Sequence, residues 1–209
     1  MKRTKTLGLV ITTIANPFYN ELAQGIEATA RCLGYNIILC STRSELATEK
    51  QTIDMLRSKG VDGILFTSAH IIDENIVELA EDGFPMVLVN RRTYQPTVKE
   101  KVDYVGIDNI LGGFLAVEHL IRLGHQRVGL IGGSSESSVG FERLEGGRRA
   151  LLAYGIGKIE DYSLDGDFLM GSGYEGGNRF LKMGIPPTAI WRSCAVKPQY
   201  GAMEVSPQE

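Results

Sequence analysis

The chain has 209 residues, 43% hydrophobic and 22% charged, with a formal net charge of −3. The apolar content excludes a disordered protein, and no run approaches the roughly 18 apolar residues that a membrane span needs. The slight acidity gives no electrostatic footprint for gripping nucleic acid. Cys32, Cys40 and Cys194 form no CxxC pair and no even-numbered framework, which fits free thiols in a reducing compartment. Lys2, Arg3 and Lys5 precede an apolar stretch over 7–11 that Thr12 and Thr13 cut short. That stretch reads as a core strand rather than a secretory leader, so a cytoplasmic location is expected.

Short β-branched or aliphatic runs alternate with helical patterns along the chain. A strand over 7–11 is followed by Asn16-Pro17, an N-cap with proline at the first helical position, where its missing N–H costs nothing. Phe18, Leu22, Ile26, Ala30 and Leu33 then recur at helical spacing, a face turned to a sheet, with Tyr19 off that stripe. A strand over 35–40, a helix over about 45–59 carrying Leu46, Ile53 and Leu56, and a strand over 62–66 come next. A helix over 73–82 leads to a strand over 85–89. The helices stop at Gly34, Gly60, Gly83, Gly124, Gly155 and Gly184, residues able to take the left-handed position past a helix end.

The rhythm breaks at 90–103, a polar stretch containing Pro96. A strand over 104–107 follows with no helix in between, which suggests that the chain leaves one sheet for another. Alternation then resumes with helices over about 110–123, 141–154 and 174–183 and strands over 127–131, 163–168 and 188–190. The expected fold is α/β: two Rossmann-like lobes with parallel sheets, residues 1–103 and 104–190, and an atypical tail over 191–209.

Ligands of open α/β sheets collect beyond the carboxyl ends of the strands. Those ends carry Thr12, Asn16, Phe18 and Tyr19, then Thr67 and Ser68, Asn90 and Arg91, Asp108 and Asn109, the loop Gly132-Gly133-Ser134-Ser135 leading to Arg143, and Asp167-Phe168. Amides, hydroxyls, a carboxylate and a planar arginine suit a polyol, and an aromatic ring can receive a sugar's apolar face. Each residue has a structural alternative. Phe18 heads the buried stripe, so it either packs or touches ligand, and Tyr19 is the better placed ring. Asp108 either caps the following helix or enters the site. Arg143 either pairs with Glu142 or Glu145 or faces the cleft. There is no Ser/His/Asp arrangement, no metal spacing among His70, His119 and His125, and no GxGxxG or GxxxxGK[ST] loop. No enzyme activity, cofactor or metal is therefore expected.

Several of these segments together resemble one family. They are Leu7-Gly8-Leu9-Val10, Asn16-Pro17-Phe18-Tyr19, Val61-Asp62-Gly63-Ile64, the run from Pro85 to Asn90, Val105-Gly106-Ile107-Asp108-Asn109, Leu123-Gly124-His125-Gln126-Arg127-Val128, and Arg143 with Gly146. The chain resembles the effector-binding core of LacI/GalR transcriptional regulators over about residues 5–190. The resemblance implies a periplasmic-binding-protein-like type I fold and a small effector, usually a sugar or nucleobase, in a cleft between the lobes. It also implies a homodimer. Carried over by motif position, Phe18, Tyr19, Asp108, Arg143 and Phe168 are effector contacts, beside Thr12, Asn16 and Asn90 from the strand ends. Two departures stand out. No helix-turn-helix precedes the first strand, so operator DNA is expected to be reached only through a head outside this sequence. After Ile190 the family's strand end and Asn-Asp pair are replaced by 191–200, so the core is expected to be C-terminally incomplete and Trp191 to belong to the tail. The expected function is effector binding whose cleft closure controls the DNA-binding head. The alternatives are a soluble sugar-binding protein of a transport system and an enzyme on a Rossmann-like scaffold, which would need a phosphate loop.

Overall fold

The alternating pattern folds into two parallel sheets in the computed structural model, which describes residues 3–157 and 159–194. The chain divides into two compact units. The first takes the residues up to Asp108 together with Glu136–Val139, and the second takes Asn109–Ser135 and the residues from Gly140 on.

The first unit runs β1 (Thr6–Ile11), α1 (Pro17–Cys32), β2 (Asn36–Ser41), α2 (Leu46–Ser58), β3 (Gly63–Phe66), α3 (Glu74–Glu81), β4 (Met86–Val89), α4 (Pro96–Lys101) and β5 (Asp103–Val105). Its strands are ordered β2-β1-β3-β4-β5 and pair in parallel throughout. Successive side chains of β1 go to opposite faces, as strand geometry requires. Val10 joins Ile53, Leu56, Ile64, Phe66, Ile76 and Leu88 in one apolar cluster. Leu9 and Ile11 join Tyr19 in another, packed against Leu22, Ala23 and Ile26 of α1.

Two expectations are corrected here. Residues 104–107 were expected to open the second sheet, but β5 pairs with β4 in the first, Leu88 opposite Tyr104. Parallel neighbours need a crossover, and α4 supplies it. Its six residues, with proline in the first turn, are too few to show a period in the sequence. The first unit thus runs past residue 103. The second correction concerns α1, whose buried face is Tyr19, Leu22, Ala23 and Ile26. Tyr19 is 4% exposed and Phe18 is 45% exposed, the reverse of the expected assignment. Adjacent helical residues lie about 100° apart, and both are aromatic, so composition could not choose the phase.

The second unit runs α5 (Asn109–Arg122), β6 (Val128–Ile131), α6 (Ser138–Ala153, whose first two residues belong to the first unit), a 3₁₀ turn (Glu160–Tyr162), β7 (Ser163–Leu164), α7 (Met170–Leu181) and β8 (Ala189–Arg192). Its strand order is β7-β6-β8, again parallel. Trp191 is not tail. It lies in β8 opposite Leu130 and packs on the cluster of Val117, Leu130 and Leu151. The rest of the atypical tail, 195–209, lies outside the described residues. The strand expected over 163–168 shrinks to Ser163–Leu164.

Gly34, Gly60, Gly83, Gly124 and Gly155 all take positive φ past a helix end, as expected, whereas Gly184 does not. Two other glycines work by close approach. A Cβ on Gly113 of α5 would sit 2.1 Å from the Arg143 carbonyl oxygen, and one on Gly146 of α6 would sit 2.0 Å from that of Ile110. The backbones of α5 and α6 are therefore in contact, and only glycine permits it.

Candidate functional site

The polar residues at the strand ends of the first unit are tied into hydrogen bonds with the main chain. Thr12, directly after β1, is 4% exposed, and its carbonyl accepts from the Arg43 backbone N–H (2.7 Å) and from Ser41 Oγ (3.1 Å). Asn16 caps α1, its Oδ1 accepting from the Phe18 backbone N–H at 3.0 Å. The Phe18 ring meets Tyr19 edge-on, 5.2 Å between centroids. Asn90 follows β4 with φ +67°, its N–H donating to Val105 and its carbonyl accepting from the Tyr104 hydroxyl.

Sequence reading missed the most perturbed group of this unit. Glu49 of α2 is 2% exposed; Ser68 Oγ donates to it at 2.7 Å and Asn75 Nδ2 at 3.3 Å. Burial, reinforced by the Asp73 carboxylate, pushes Glu49 up to about 7. Asp73 in turn accepts from the backbone N–H groups of His70 and Ile76, capping α3. A signal was available: Glu49 falls three residues after Leu46 and four before Ile53, on the apolar stripe.

In the second unit Arg143 sits in the first turns of α6 and is half-buried. Its Nε donates to Asn109 Oδ1 at 2.8 Å and its Nη1 to the Ser193 carbonyl at 2.8 Å. Neither partner was anticipated. Of the expected alternatives, Glu142 accepts from Asn109, and Glu145 pairs with Arg149. Asp108, the residue at which the chain first leaves the first unit, is exposed. Phe168 follows β7 with φ +67°, a conformation costing a non-glycine residue on the order of 1–3 kcal/mol. Its ring lies flat against Gly133, where a Cβ would come within 2.1 Å of two ring carbons. Gly133 is thus the seat of an aromatic ring. Beside it, burial pushes the Asp167 carboxyl up, but hydrogen bonds from Ser172 Oγ and the Leu169 N–H outweigh that and hold it below the usual carboxylate range.

A cavity of about 750 Å³ opens in the same unit, near Gln126, Arg127 and Tyr162 before β6. Several of its polar groups are held within the unit: Arg127 donates to the Pro186 carbonyl, Tyr162 to that of Ile185, and His125 bonds Thr188. The carboxyl ends, with Arg143 and Phe168, are the better candidate.

The sequence matches the family described as periplasmic binding proteins and sugar binding domain of LacI family, over residues 4–194. The chain belongs to this family. Among relatives, it is 35% identical over 191 residues to the HTH-type transcriptional repressor PurR of Photobacterium profundum, covering 90% of this chain and 55% of that protein. It is 34% identical over 191 residues to the catabolite control protein A of Priestia megaterium, covering 91% and 56%. The structure of the transcriptional regulator CelR in complex with cellobiose superposes with a TM-score of 0.82 at 33% identity, covering 91% of this chain and 59% of that one. This LacI-family chain therefore spans about 55% of the length of the curated relatives it matches. No helix among the described residues is long and apolar enough to cross a membrane. The parallel α/β architecture is that of the family, and its relatives are transcriptional regulators.

Proposed function

We propose that this chain is the effector-sensing portion of a LacI-family transcriptional regulator and that its effector is a small polyhydroxylated molecule, a sugar in the first instance. The observation that carries the reading is Arg143: a half-buried guanidinium whose Nε and Nη1 are held by hydrogen bonds at the carboxyl end of the second sheet. A planar cation of this kind can grip two adjacent hydroxyls at once. The Phe168 ring, held at positive φ, offers an apolar face for a sugar's C–H surface. Strain of this sort is retained where it serves a function. That the related CelR was captured with cellobiose supports the sugar class.

Thr12, Asn16, Phe18 and Asn90 of the first unit, and Asp108, are the further contacts in this reading. Tyr19 is withdrawn, because its ring is core. The effector acts by binding one conformation of the regulator more tightly than another, and it shifts the equilibrium only by that difference. A DNA-binding portion of the regulator then feels the shift as a coupling free energy. Operator DNA, a second copy of the chain and a cytoplasmic setting complete the proposal, and no catalytic step is assigned.

The test is thermal-shift screening of the purified chain with D-ribose, D-glucose, cellobiose, fructose 1-phosphate and guanine. A ligand that binds only the native state raises the midpoint. Arg143→Ala is expected to weaken the responding ligand 10- to 100-fold, from the roughly 1.5–3 kcal/mol of a charge-assisted hydrogen bond. Calorimetry giving equal affinities for the two proteins discards Arg143 as an effector contact.

A further inference from the structure

Arg143 does not hold itself in place. The backbone contact between α5 and α6, made by Gly113 and Gly146, brings the first residue of α5 against the first turns of α6. That residue is Asn109, 1% exposed, and beside it lies Glu142, 2% exposed. Asn109 Nδ2 donates to Glu142 Oε2 at 3.1 Å, while Asn109 Oδ1 accepts from Arg143 Nε at 2.8 Å.

We propose that Asn109 is the positioning residue for Arg143, with Glu142 fixing which way the Asn109 amide faces. The proposal rests on the reading of Arg143 as an effector contact and names what sets its orientation. The chemistry allows one arrangement. A carboxylate has only acceptors and a guanidinium only donors, so a group bridging them must present a donor to one side and an acceptor to the other. An amide does this with both atoms on one carbon. Aspartate at 109 would have no donor for Glu142, and leucine, of similar shape, would leave a buried carboxylate and the guanidinium without this bridge. With the Ser193 carbonyl taking Nη1, the guanidinium plane is set before any ligand arrives. Preorganisation of this kind raises affinity by removing an ordering cost at binding.

The positioning is read directly from the Arg143 Nε–H signal in ¹H–¹⁵N spectra of the full chain, assigned by its loss in Arg143→Lys. In the wild type the signal is expected to be sharp and to exchange slowly with water. In the double variant N109L/E142L, which removes the bridge and the buried carboxylate together, exchange is expected to speed at least tenfold. The single variant Glu142→Gln, which keeps Asn109, is expected to retain slow exchange, because its amide oxygen still accepts from Asn109. If the double variant does not fold, Asn109→Ser carries the same measurement. An Arg143 signal that keeps its slow exchange without Asn109 overturns the proposal. Calorimetry with whichever of the five probes raised the midpoint adds a thermodynamic cycle. Loss of Asn109 weakens binding about tenfold in the wild type and not at all on the Arg143→Ala background, and an equal loss on both backgrounds also overturns the proposal. If Arg143→Ala itself binds normally, the effector role fails, while the exchange measurement still decides the positioning.

Discussion

Two glutamates, one in each unit, lie buried on the inner faces of their helices, and their neighbours differ. Glu49 faces the Asp73 carboxylate, with Ser68 and Asn75 as donors, and is pushed up to about 7. Glu142 faces Asn109, whose other end holds Arg143. The same residue type, equally buried, serves opposite ends. In the first unit the polar groups around Glu49 close on one another and support the fold. In the second, the buried carboxylate orients a cation that is still half-exposed. What a buried acid is paired with, more than its burial, decides which role it takes.

The contrast can be broken at several points. The largest effect is expected at Tyr19. Tyr19→Ala empties part of the first unit's core and should cost about 3–5 kcal/mol in denaturant unfolding, as large aromatic truncations do. A cost below about 1 kcal/mol would return Tyr19 to the surface.

Next comes the pH dependence set by Glu49. Its folded value, about 7, lies above the ordinary value of 4.5, so the native state binds this proton more tightly than the unfolded chain does. The resulting stabilisation, up to about 3 kcal/mol, is fully present below about pH 4.5 and is lost as pH rises through about 7. Urea midpoints should fall between pH 5 and 8 in the wild type and stay flatter in Glu49→Gln. A parallel slope in both proteins would mean that another group titrates.

Gly146→Ala tests the second unit's frame. Its Cβ would press on the Ile110 carbonyl, and overpacking of this sort costs about 1–3 kcal/mol. The smallest effect on stability is expected at Phe168. Replacing it with glycine relieves the positive φ while removing a half-buried ring, so stability should change by no more than about 1 kcal/mol. Effector affinity should nonetheless fall. A large loss of stability at Phe168→Gly would make that ring core, like Tyr19.

Local chemistry made much of this legible beforehand. The Asn16-Pro17 cap, the glycines past five helices and the alternation of strands and helices follow from preferences acting within a few residues. The strand-end rule pointed to the segments that lead to Arg143 and Phe168. The rest depended on partners distant in sequence. The destination of β5 was hidden because the six-residue α4 leaves no periodic trace. The phase of α1 was hidden because Phe18 and Tyr19 are both aromatic. Gly146 read as part of an effector motif, and its packing role emerges only with Ile110 beside it.

By itself, then, the sequence determined the parallel α/β class, the family and the segments that bear the polar groups, because periodicity, capping and motif spacing are written along the chain. Only the tertiary structure decided that Tyr19 is core, that Glu49 shares its burial with Asp73, and that Asn109 stands between Glu142 and Arg143. Burial and pairing are properties of neighbours brought together across tens of positions, 34 between Asn109 and Arg143 and 50 between Arg143 and Ser193, and no local pattern encodes them.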